Sequence, residues 1–449
     1  MNDFSALGLA PALLSALDAR KLTDPTPIQQ KAIPLVLEGH DVMGLAQTGT
    51  GKTLAFGLPL LDQLIHAEER PRPRLPSALI LAPTRELVNQ IAESLRDMTG
   101  STNLRIVTVV GGASINRQVN ALARPTDVLV ATPGRLIDLL DRRALELSQV
   151  RFLVLDEADQ MLDMGFIHSL RKIAPLLATP RQTMLFSATM PKLMEELSQA
   201  YLNNPMRVQV APPGKAADKI TQSIHFVEKA GKPRKLREIL DRDPGALTLV
   251  FSRTKHGAER LMKGLVADGY NADSIHGNKS QGKRDRAITA FRDGKINVLV
   301  ATDVAARGID IPGVAYVVNF DLPDVPDNYV HRIGRTARAG REGEAIAFCS
   351  EEEVDLLKQI EKLMKMEIPT ASGDRPAHAS PRPQRRRGGG SGKPQGNRRG
   401  NGGAKGKGGN GSSGGGSSQS KWSRGPKPGK PGGTQSPKRR RPNKRRTAA

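Results

Sequence analysis

The chain has 449 residues, more than one hydrophobic core usually serves, so we expect two folded domains and an additional segment. A net charge of +23 favours a polyanionic partner, and one cysteine, Cys349, excludes an intramolecular disulfide framework and fits a reducing compartment. No apolar run approaches about 18 residues and no basic, apolar leader opens the chain, so we predict neither a membrane span nor a signal peptide.

The first part of the chain, up to about Thr189, alternates short apolar runs with helical patterns. The runs are continuous in Val, Ile and Leu, which is typical of strands buried on both faces of a parallel sheet. The predicted strands are 41–45, 78–82, 105–110, 128–131, 152–155 and 183–186. We therefore predict an α/β domain over residues 1–210.

A glycine-rich loop follows the first predicted strand and precedes an apolar helical pattern at 54–65. Its residues are Ala46, Gln47, Thr48, Gly49, Thr50, Gly51, Lys52 and Thr53. In this context backbone N–H groups approach phosphate oxygens, Lys52 reaches the β- and γ-phosphates of ATP, and the Thr53 hydroxyl binds Mg²⁺. Ala46 stands where the strict pattern has Gly. The alternative, a glycine-rich turn without nucleotide, is disfavoured by the adjacent Lys-Thr pair and helix.

Carboxylates follow the predicted strand at 152–155. Because ligands gather at the carboxyl ends of parallel strands, Asp156 is placed to hold the metal. Glu157, one residue further, is placed to orient and deprotonate an attacking water. Considered without the phosphate loop, this segment has an alternative interpretation as an ordinary acidic surface turn.

A second α/β domain is predicted over residues 220–370, after a linker at 211–219 that is interrupted by Pro and Gly. Its predicted strands are 224–227, 247–251, 298–301, 315–320 and 345–348. The stretch after the strand at 247–251 has no phosphate loop, so we expect one ATP for the two domains. Arg335 and Arg338 share one face of a predicted helix and are candidates to neutralise the γ-phosphate, although in isolation a solvated basic helix fits them better.

The last segment, residues 371–449, is rich in Gly, Ser, Pro, Lys and Arg. It holds 21 Lys and Arg against one acid, Asp374, and so carries +20 of the net charge. We predict that it is disordered and binds nucleic acid, with Trp422 free to stack on an unpaired base. A tail that only increases solubility is the alternative.

The order of these motifs resembles that of DEAD-box RNA helicases over roughly residues 4–350. The resemblance implies two tandem RecA-like parallel-sheet domains. It also implies that Gln29 reads the adenine base, with Phe4 as an upstream aromatic. Lys21 and Leu22 depart from the Gly and aromatic residue of the family, so Leu22 is left to pack on adenine. Ala337 departs from a family Gly, and we expect its Cβ to crowd the closed cleft.

The resemblance also assigns roles to residues along both domains. It implies that Asp159, Ser187, Thr189 and His331 couple hydrolysis to RNA separation. It implies a ribose contact from Asp310 and γ-phosphate contacts from Arg335 and Arg338. RNA contacts are implied for Pro83, Thr84, Arg85, Gly111, Gly112, Thr132, Pro133, Gly134, Arg135, Arg253, Gln281, Arg284, Thr302 and Gly308. Contacts of this kind to the RNA backbone carry no base code.

The function predicted from these features is an RNA-stimulated ATPase that unwinds short duplexes locally and remodels RNA–protein complexes, with ATP and Mg²⁺ as cofactors. An ATP-gated RNA clamp, an RNA chaperone acting through the tail and a DNA translocase are the alternatives. The core and tail look most like bacterial members of the ribosome-assembly and RNA-decay type. We therefore expect a monomer in the bacterial cytoplasm, with ribosomal precursors or RNA-decay proteins as partners. The basic run at 437–446 would also fit a nuclear localisation signal.

Overall fold

The computed structural model describes residues 3–46, 49–100, 102–190, 192–210, 220–309, 311, 313–337 and 342–376. The predicted linker at 211–219 and the predicted tail from 377 onward lie outside these ranges. The predicted site residues that also lie outside them are Gln47, Thr48, Asp310 and Arg338. No helix within the described ranges is long and apolar enough to cross a membrane.

The first domain is built on a seven-stranded parallel sheet. Its strands are β1 Val42–Leu45, β2 Ala78–Leu81, β3 Ile106–Val109, β4 Val128–Ala131, β5 Phe152–Leu155, β6 Gln182–Ser187 and β7 Met206–Gln209. The strand order is β3-β4-β2-β5-β6-β1-β7. Residues of β2 and β4 are buried along the whole strand, as continuous Val, Ile, Leu and Ala runs require when helices cover both faces.

Nine helices of the first domain flank this sheet within the described residues. They are α1 Pro11–Ala19, α2 Pro27–Leu37, α3 Lys52–Ile65, α4 Arg85–Met98, α5 Ile115–Leu122, α6 Pro133–Asp141, α7 Ala158–Asp163, α8 Ile167–Ile173 and α9 Lys192–Tyr201. Successive strand residues belong to different hydrophobic clusters: Val42 packs in one and Met43 in the other. Because side chains alternate along a strand, the two clusters are the two covered faces of the sheet.

The second domain repeats the same architecture. Its strands are β8 Ile220–Phe226, β9 Thr248–Phe251, β10 Ala272–Ile275, β11 Val298–Ala301, β12 Tyr316–Asn319, β13 Gly343–Cys349 and β14 Thr370–Ser372. Its helices are α10 Lys232–Leu240, α11 Lys255–Ala267, α12 Gln281–Arg292, α13 Asp303–Ala306, α14 Pro326–Ile333 and α15 Val354–Met364. The strand order is β10-β11-β9-β12-β13-β8-β14, again parallel throughout. The predicted fold of two tandem RecA-like domains is confirmed.

Comparison of the two strand orders gives each strand a counterpart in the other sheet. The position of β1 in the first sheet is taken by β8 in the second, and the positions of β5 and β6 are taken by β12 and β13. The sequence prediction looked for a second phosphate loop after β9 and found none. In the structure, however, β9 takes the position of β2, which is not the strand that precedes the phosphate loop in the first domain. The strand that corresponds to β1, and so to the phosphate loop, is β8.

Three strands were absent from the sequence prediction: β7, β10 and β14. All three lie at sheet edges and lack a continuous apolar run, since an edge strand packs on fewer neighbours. Strand β14 pairs with β8, and the described chain continues to Pro376. The start of a disordered tail at 371 is therefore wrong by several residues.

Candidate functional site

The glycine-rich loop connects β1 to α3, which begins at Lys52. Gly49 and Gly51 have φ of 83° and 88°, in the left-handed region that favours glycine. A Cβ at Gly51 would lie 2.6 Å from Gln29 Nε2, so a side chain there is excluded by packing as well. The loop therefore has the backbone geometry and helix N-terminus that phosphate binding requires.

Buried charged groups converge beside this loop. Lys52 is 6% exposed, and its Nζ has no hydrogen-bond partner among the described residues. Burial raises the pKa of Glu157 to about 7, against the opposing charges of Arg335 and Lys52. Burial likewise raises the pKa of Asp156, and Lys52 again opposes the shift. Since a buried ammonium without a hydrogen-bond partner is costly, its presence indicates a site shaped for an anionic ligand.

Glu157 has an unusual backbone conformation. Its φ and ψ are 52° and 50°, left-handed values that are unfavourable for a non-glycine residue. The residue caps α7, and its N–H donates to Asp156 Oδ1 over 3.0 Å. Its Oε2 has no hydrogen-bond partner among the described residues. Strain of this kind is found where a side chain must point at a ligand, which agrees with the predicted role of Glu157.

Gln29, the residue predicted to read adenine, lies next to the loop. Gln29 Oε1 accepts from Thr26 N–H over 2.8 Å, and Gln29 Nε2 donates to the Gly51 carbonyl over 3.0 Å. Phe4 is only 3% exposed and packs in the first-domain core, whereas Leu22 is 38% exposed. Gln29 therefore ties the start of α2 to the phosphate loop, and Leu22 has apolar surface available for a base.

Asp159 links the end of β6 to the second domain. Its Oδ2 accepts hydrogen bonds from Thr189 N–H and Oγ1 at 2.9 and 3.0 Å and from Ala188 N–H at 3.1 Å. Ser187 Oγ donates to the Thr189 carbonyl over 2.7 Å. His331 Nε2, on α14, lies 3.9 Å from the same Oδ2, and burial lowers the pKa of His331. The four predicted coupling residues therefore meet at one point between the domains.

A surface groove brings together most of the predicted RNA contacts. The predicted residues lining it are Pro83, Thr84, Arg85, Gly111, Thr132, Gly134, Arg135 and Arg284. The sequence interpretation missed four further lining residues: Glu86, Met164, Phe166 and Val304. Val304 is 57% exposed. The groove thus combines guanidinium and hydroxyl groups with apolar side chains from both domains.

Side chains of the two domains bind each other beside this groove. Glu86 Oε1 accepts from Gln281 Nε2 at 2.9 Å and lies 3.0 Å from Arg284 Nη2. Gly308 approaches so closely that a Cβ there would lie 2.3 Å from Thr84 Oγ1. Arg307 Nη2 lies 3.1 Å from Asp163 Oδ2. Sequence reasoning did not find these pairs because their members are far apart along the chain.

The remaining predicted residues lie at several other positions. Gly112 has φ of 69° and packs under the Arg85 guanidinium, and Pro133 begins α6. Thr302 caps α13. Arg253 binds Glu353 Oε1 over 2.8 Å and the Leu322 carbonyl over 2.9 Å. The Arg253 guanidinium therefore already has hydrogen-bond partners inside the second domain. A guanidinium that bound only RNA would have no such partners.

Known proteins share both domains of this chain. Residues 26–197 match the family model described as DEAD/DEAH box helicase, and residues 231–340 match the helicase conserved C-terminal domain. S. cerevisiae Dbp5 bound to RNA and ADP BeF3 is 34% identical, with a TM-score of 0.75 over 83% of this chain and 96% of that chain. The chain belongs to the DEAD-box RNA helicase family. As a member, it is an ATP-dependent RNA helicase, which confirms the predicted enzyme class.

The domains of this DEAD-box helicase are arranged as in RNA-bound relatives. Mss116 bound to ssRNA and UDP-BeF is 28% identical, with a TM-score of 0.76 over 84% of this chain and 81% of that chain. A Dbp5 variant bound to a Gle1 variant and IP6 gives a TM-score of 0.67 at 34% identity, over 83% of this chain and 95% of that chain. Over its whole length, this chain is therefore more similar to the Dbp5 structure bound to RNA than to the one bound to the Gle1 variant.

Proposed function

We propose that this DEAD-box helicase unwinds short RNA duplexes locally and remodels RNA–protein complexes, with ATP hydrolysis stimulated by RNA. The observation that carries this proposal is the meeting of the two domains at the nucleotide site, where His331 Nε2 of the second domain lies 3.9 Å from Asp159 Oδ2 of the first and the charge of Arg335 opposes the rise in the Glu157 pKa. The groove residues Glu86 and Arg284 pair across the same domain interface. Because ATP and RNA would each favour this closed arrangement, binding of one strengthens binding of the other.

The nucleotide site would divide its tasks among the buried charged groups. Lys52 would bind the β- and γ-phosphates, and Glu157 would take a proton from the attacking water. Thr53 and Asp156 would hold Mg²⁺, which neutralises phosphate charge when bound. The described residues contain no group of three or more His, Cys, Asp or Glu that could hold a metal ion. Mg²⁺ would therefore depend on phosphate oxygens and water for its remaining ligands.

RNA would lie along the groove and be bound through its backbone. Arg85, Arg135 and Arg284 offer charged donors to phosphate, and Thr84 and Thr132 offer hydroxyl groups. These groups recognise phosphate and sugar, so binding would be largely independent of sequence. Hydrolysis and phosphate release would remove the ligand that holds the domains together and would release the RNA.

We also propose a cellular setting from composition and family resemblance. The basic tail would tether RNA, and the protein would act as a monomer in the bacterial cytoplasm on ribosomal precursors or with RNA-decay proteins. Crosslinking of the protein to RNA in cells, followed by sequencing of the adducts, tests this setting. Recovery of messenger or ribosomal fragments supports it, and recovery of no RNA above background would overturn it.

The unwinding proposal is tested with a short labelled RNA duplex. We expect strand separation that requires hydrolysable ATP, with a DNA duplex of the same sequence left intact and giving little ATPase activation. If the protein retains the RNA duplex tightly in the presence of ATP but never separates its strands, it acts as an ATP-gated clamp and not as an unwinding enzyme. If the strands separate without any nucleotide, the protein acts as an RNA chaperone through its tail.

A further inference from the structure

The second domain has a lysine in the position of the phosphate-loop lysine. Strands β1 and β8 occupy the same place in their sheets, and each leads into a helix whose cap is glycine and whose first residue is lysine. The pairs are Gly51-Lys52 before α3 and Gly231-Lys232 before α10. Lys232, like Lys52, is buried, with 1% of its surface exposed. The topology therefore makes Lys232 the structural counterpart of Lys52.

The two lysines differ in what they bind. Lys52 Nζ has no hydrogen-bond partner among the described residues. Lys232 Nζ donates to Glu353 Oε2 over 2.5 Å and to the Phe320 carbonyl over 2.9 Å. Glu353 is itself 5% exposed, so the ion pair is enclosed by the protein. In the second domain, a carboxylate of the chain itself occupies the place beside the lysine.

Glu353 accepts hydrogen bonds from a set of donors that resembles a phosphate cradle. Besides Lys232, its oxygens accept from Arg253 Nη2 at 2.8 Å and from the N–H of Leu322 at 3.2 Å. The N–H and hydroxyl of Ser350 donate at 3.1 and 2.9 Å. Backbone N–H groups, a hydroxyl, a lysine and an arginine at the carboxyl ends of parallel strands are the donors that phosphate sites use.

We propose that the Lys232 position is a second phosphate-binding site that is closed from within by Glu353. The Glu353 carboxylate takes the place of a phosphate group, so the chain binds one nucleotide rather than two. Pro233 follows Lys232 where Thr53 follows Lys52, so this position also lacks the hydroxyl that would hold a metal ion. The absence of a hydroxyl at residue 233 agrees with a site that holds an internal anion and no Mg²⁺.

The same ion pair positions residues that act at the domain interface. Lys232 and Glu353 bind the loop after β12 at Phe320 and Leu322. Between them, the Asp321 carbonyl accepts from Arg332 Nη1 over 2.7 Å. Arg332 lies on α14 beside His331. Glu353 therefore acts as a positioning residue for α14, through this loop.

The test asks whether phosphate can replace the Glu353 carboxylate. All chains carry Lys52→Ala, so that the first-domain loop binds phosphate weakly. Glu353→Ala opens the second site and leaves Lys232 with only the more distant Asp321 carboxylate, whose Oδ1 lies 3.8 Å from Nζ, whereas the control Lys232→Met/Glu353→Ala also removes the ammonium. Thermal unfolding is measured by calorimetry in sodium phosphate and in sodium chloride at equal ionic strength. The tail and the RNA groove are identical in both chains, so their phosphate binding cancels in the comparison.

We expect phosphate to raise the Tm of the Glu353→Ala chain by several degrees more than that of the control, because a ligand that binds only the folded state stabilises it. Equal shifts in the two chains would overturn the proposal. If the Glu353→Ala chain does not fold in chloride, refolding yield replaces Tm as the measurement. Phosphate must then restore the yield of the Glu353→Ala chain, and failure to do so while the control folds in either salt would also overturn the proposal.

Discussion

Glu86 Oε1 lies 3.0 Å from Arg284 Nη2, so an acidic side chain of the first domain binds a basic side chain of the second beside the RNA groove. Only 9% of the Glu86 side chain and 16% of the Arg284 side chain are exposed. Removal of one member of a pair as shielded as this costs more than the fraction of a kcal/mol typical of surface pairs, because the other charge is left buried without its partner. The pair therefore contributes to the free energy of domain closure itself.

We expect Glu86→Gln to weaken RNA activation, because the closed arrangement loses this ion pair. The RNA concentration at half-maximal ATPase activity should rise roughly three- to tenfold, a coupling loss within the range of allosteric free energies. Arg284→Gln should have a larger effect, since the Arg284 guanidinium is also a proposed donor to RNA phosphate in the groove. ATPase titrations with RNA measure both. Glu196→Gln is the control, because Glu196 pairs with Arg171 inside the first domain and neither residue lines the groove. Single-variant effects that add fully in the double variant would show that the pair contributes nothing.

Glu157→Gln should still bind ATP and RNA but lose hydrolysis. The amide keeps the size of the side chain but cannot accept a proton, so kcat should fall about 10²- to 10⁴-fold. Lys52→Ala should instead weaken nucleotide binding, because the buried ammonium is lost. Equilibrium titration with a fluorescent ATP analogue separates the two defects. Near-normal turnover by Glu157→Gln would exclude Glu157 as the base.

Gln29→Ala should lower affinity for every nucleotide and should lower it more for ATP than for GTP. The general loss follows from the hydrogen bond between Gln29 Nε2 and the Gly51 carbonyl, which helps to hold the phosphate loop. The selective loss follows from the predicted contact with adenine. Competition binding measures both. An unchanged ATP/GTP ratio would refute base reading and leave only the support of the loop.

Leu22→Phe is a companion to the Gln29 experiment. Leu22 is partly exposed, and an aromatic ring there would give adenine a larger flat surface for stacking. We expect tighter ATP binding, about two- to fivefold by the energies of aromatic pairs. Leu176→Phe, an equally conservative change at an exposed leucine on a short helix after α8, is the control and should leave ATP affinity unchanged. Equal behaviour of both variants would place Leu22 away from the base.

The sequence predicted both sheets because buried parallel strands are continuous apolar runs, as β2, β4 and β11 show. It also predicted that Lys52 and Glu157 meet, since both follow strands whose carboxyl ends share one edge of the sheet. It could not predict the Glu86–Arg284 or Lys232–Glu353 pairs. Each joins residues more than a hundred positions apart, and neither belongs to a local pattern.

Two departures from the family pattern prove to lie in left-handed backbone. Lys21 has φ of 59° and Ala337 has φ of 55°. The family places glycine at both positions, and the structure supplies a reason in backbone geometry. The Cβ of Ala337 packs against the hydrophobic cluster of the second domain that includes Ile220 and Ile333. Backbone strain is therefore a second consequence of Ala337, and the crowding of the cleft stays a prediction.

Lys21→Gly and Ala337→Gly should each stabilise the protein. Relief of a left-handed conformation gains about 1–2 kcal/mol, and the added freedom of glycine in the unfolded chain removes about 0.4–1 kcal/mol. We expect a net gain of roughly 0.5–1 kcal/mol for each, measured by denaturant unfolding. Ala19→Gly, in the last turn of α1, is the control and should lose about that amount. A loss of stability in either glycine variant at 21 or 337 would show that side-chain packing outweighs the strain.

The basic tail must be removed at the right residue if its role is to be measured. Strand β14 begins at Thr370, and Arg375 lies 5.8 Å over the Phe226 ring and pairs with Glu367 over 2.9 Å. A chain that ends at Pro369 lacks the strand and these Arg375 interactions, together with the Arg375–Glu361 pair, whereas a chain that ends at Pro376 keeps them all. We expect the shorter chain to have a lower Tm and the longer one to match the full chain.

A chain that ends at Pro376 should keep its ATPase rate at saturating RNA but bind RNA more weakly. Residues 377–449 carry 20 Lys and Arg and no acid, and each phosphate they neutralise releases counterions. The plot of log affinity against log salt should therefore become shallower, by about 0.7 for each phosphate of a single strand that the tail no longer neutralises. Fluorescence anisotropy of labelled RNA at several salt concentrations measures both changes.

If affinity and slope stay the same, the tail does not bind RNA and serves solubility or protein docking. If turnover disappears even at saturating RNA, the tail takes part in the catalytic cycle, because the shorter chain would then fold and bind RNA without hydrolysing ATP.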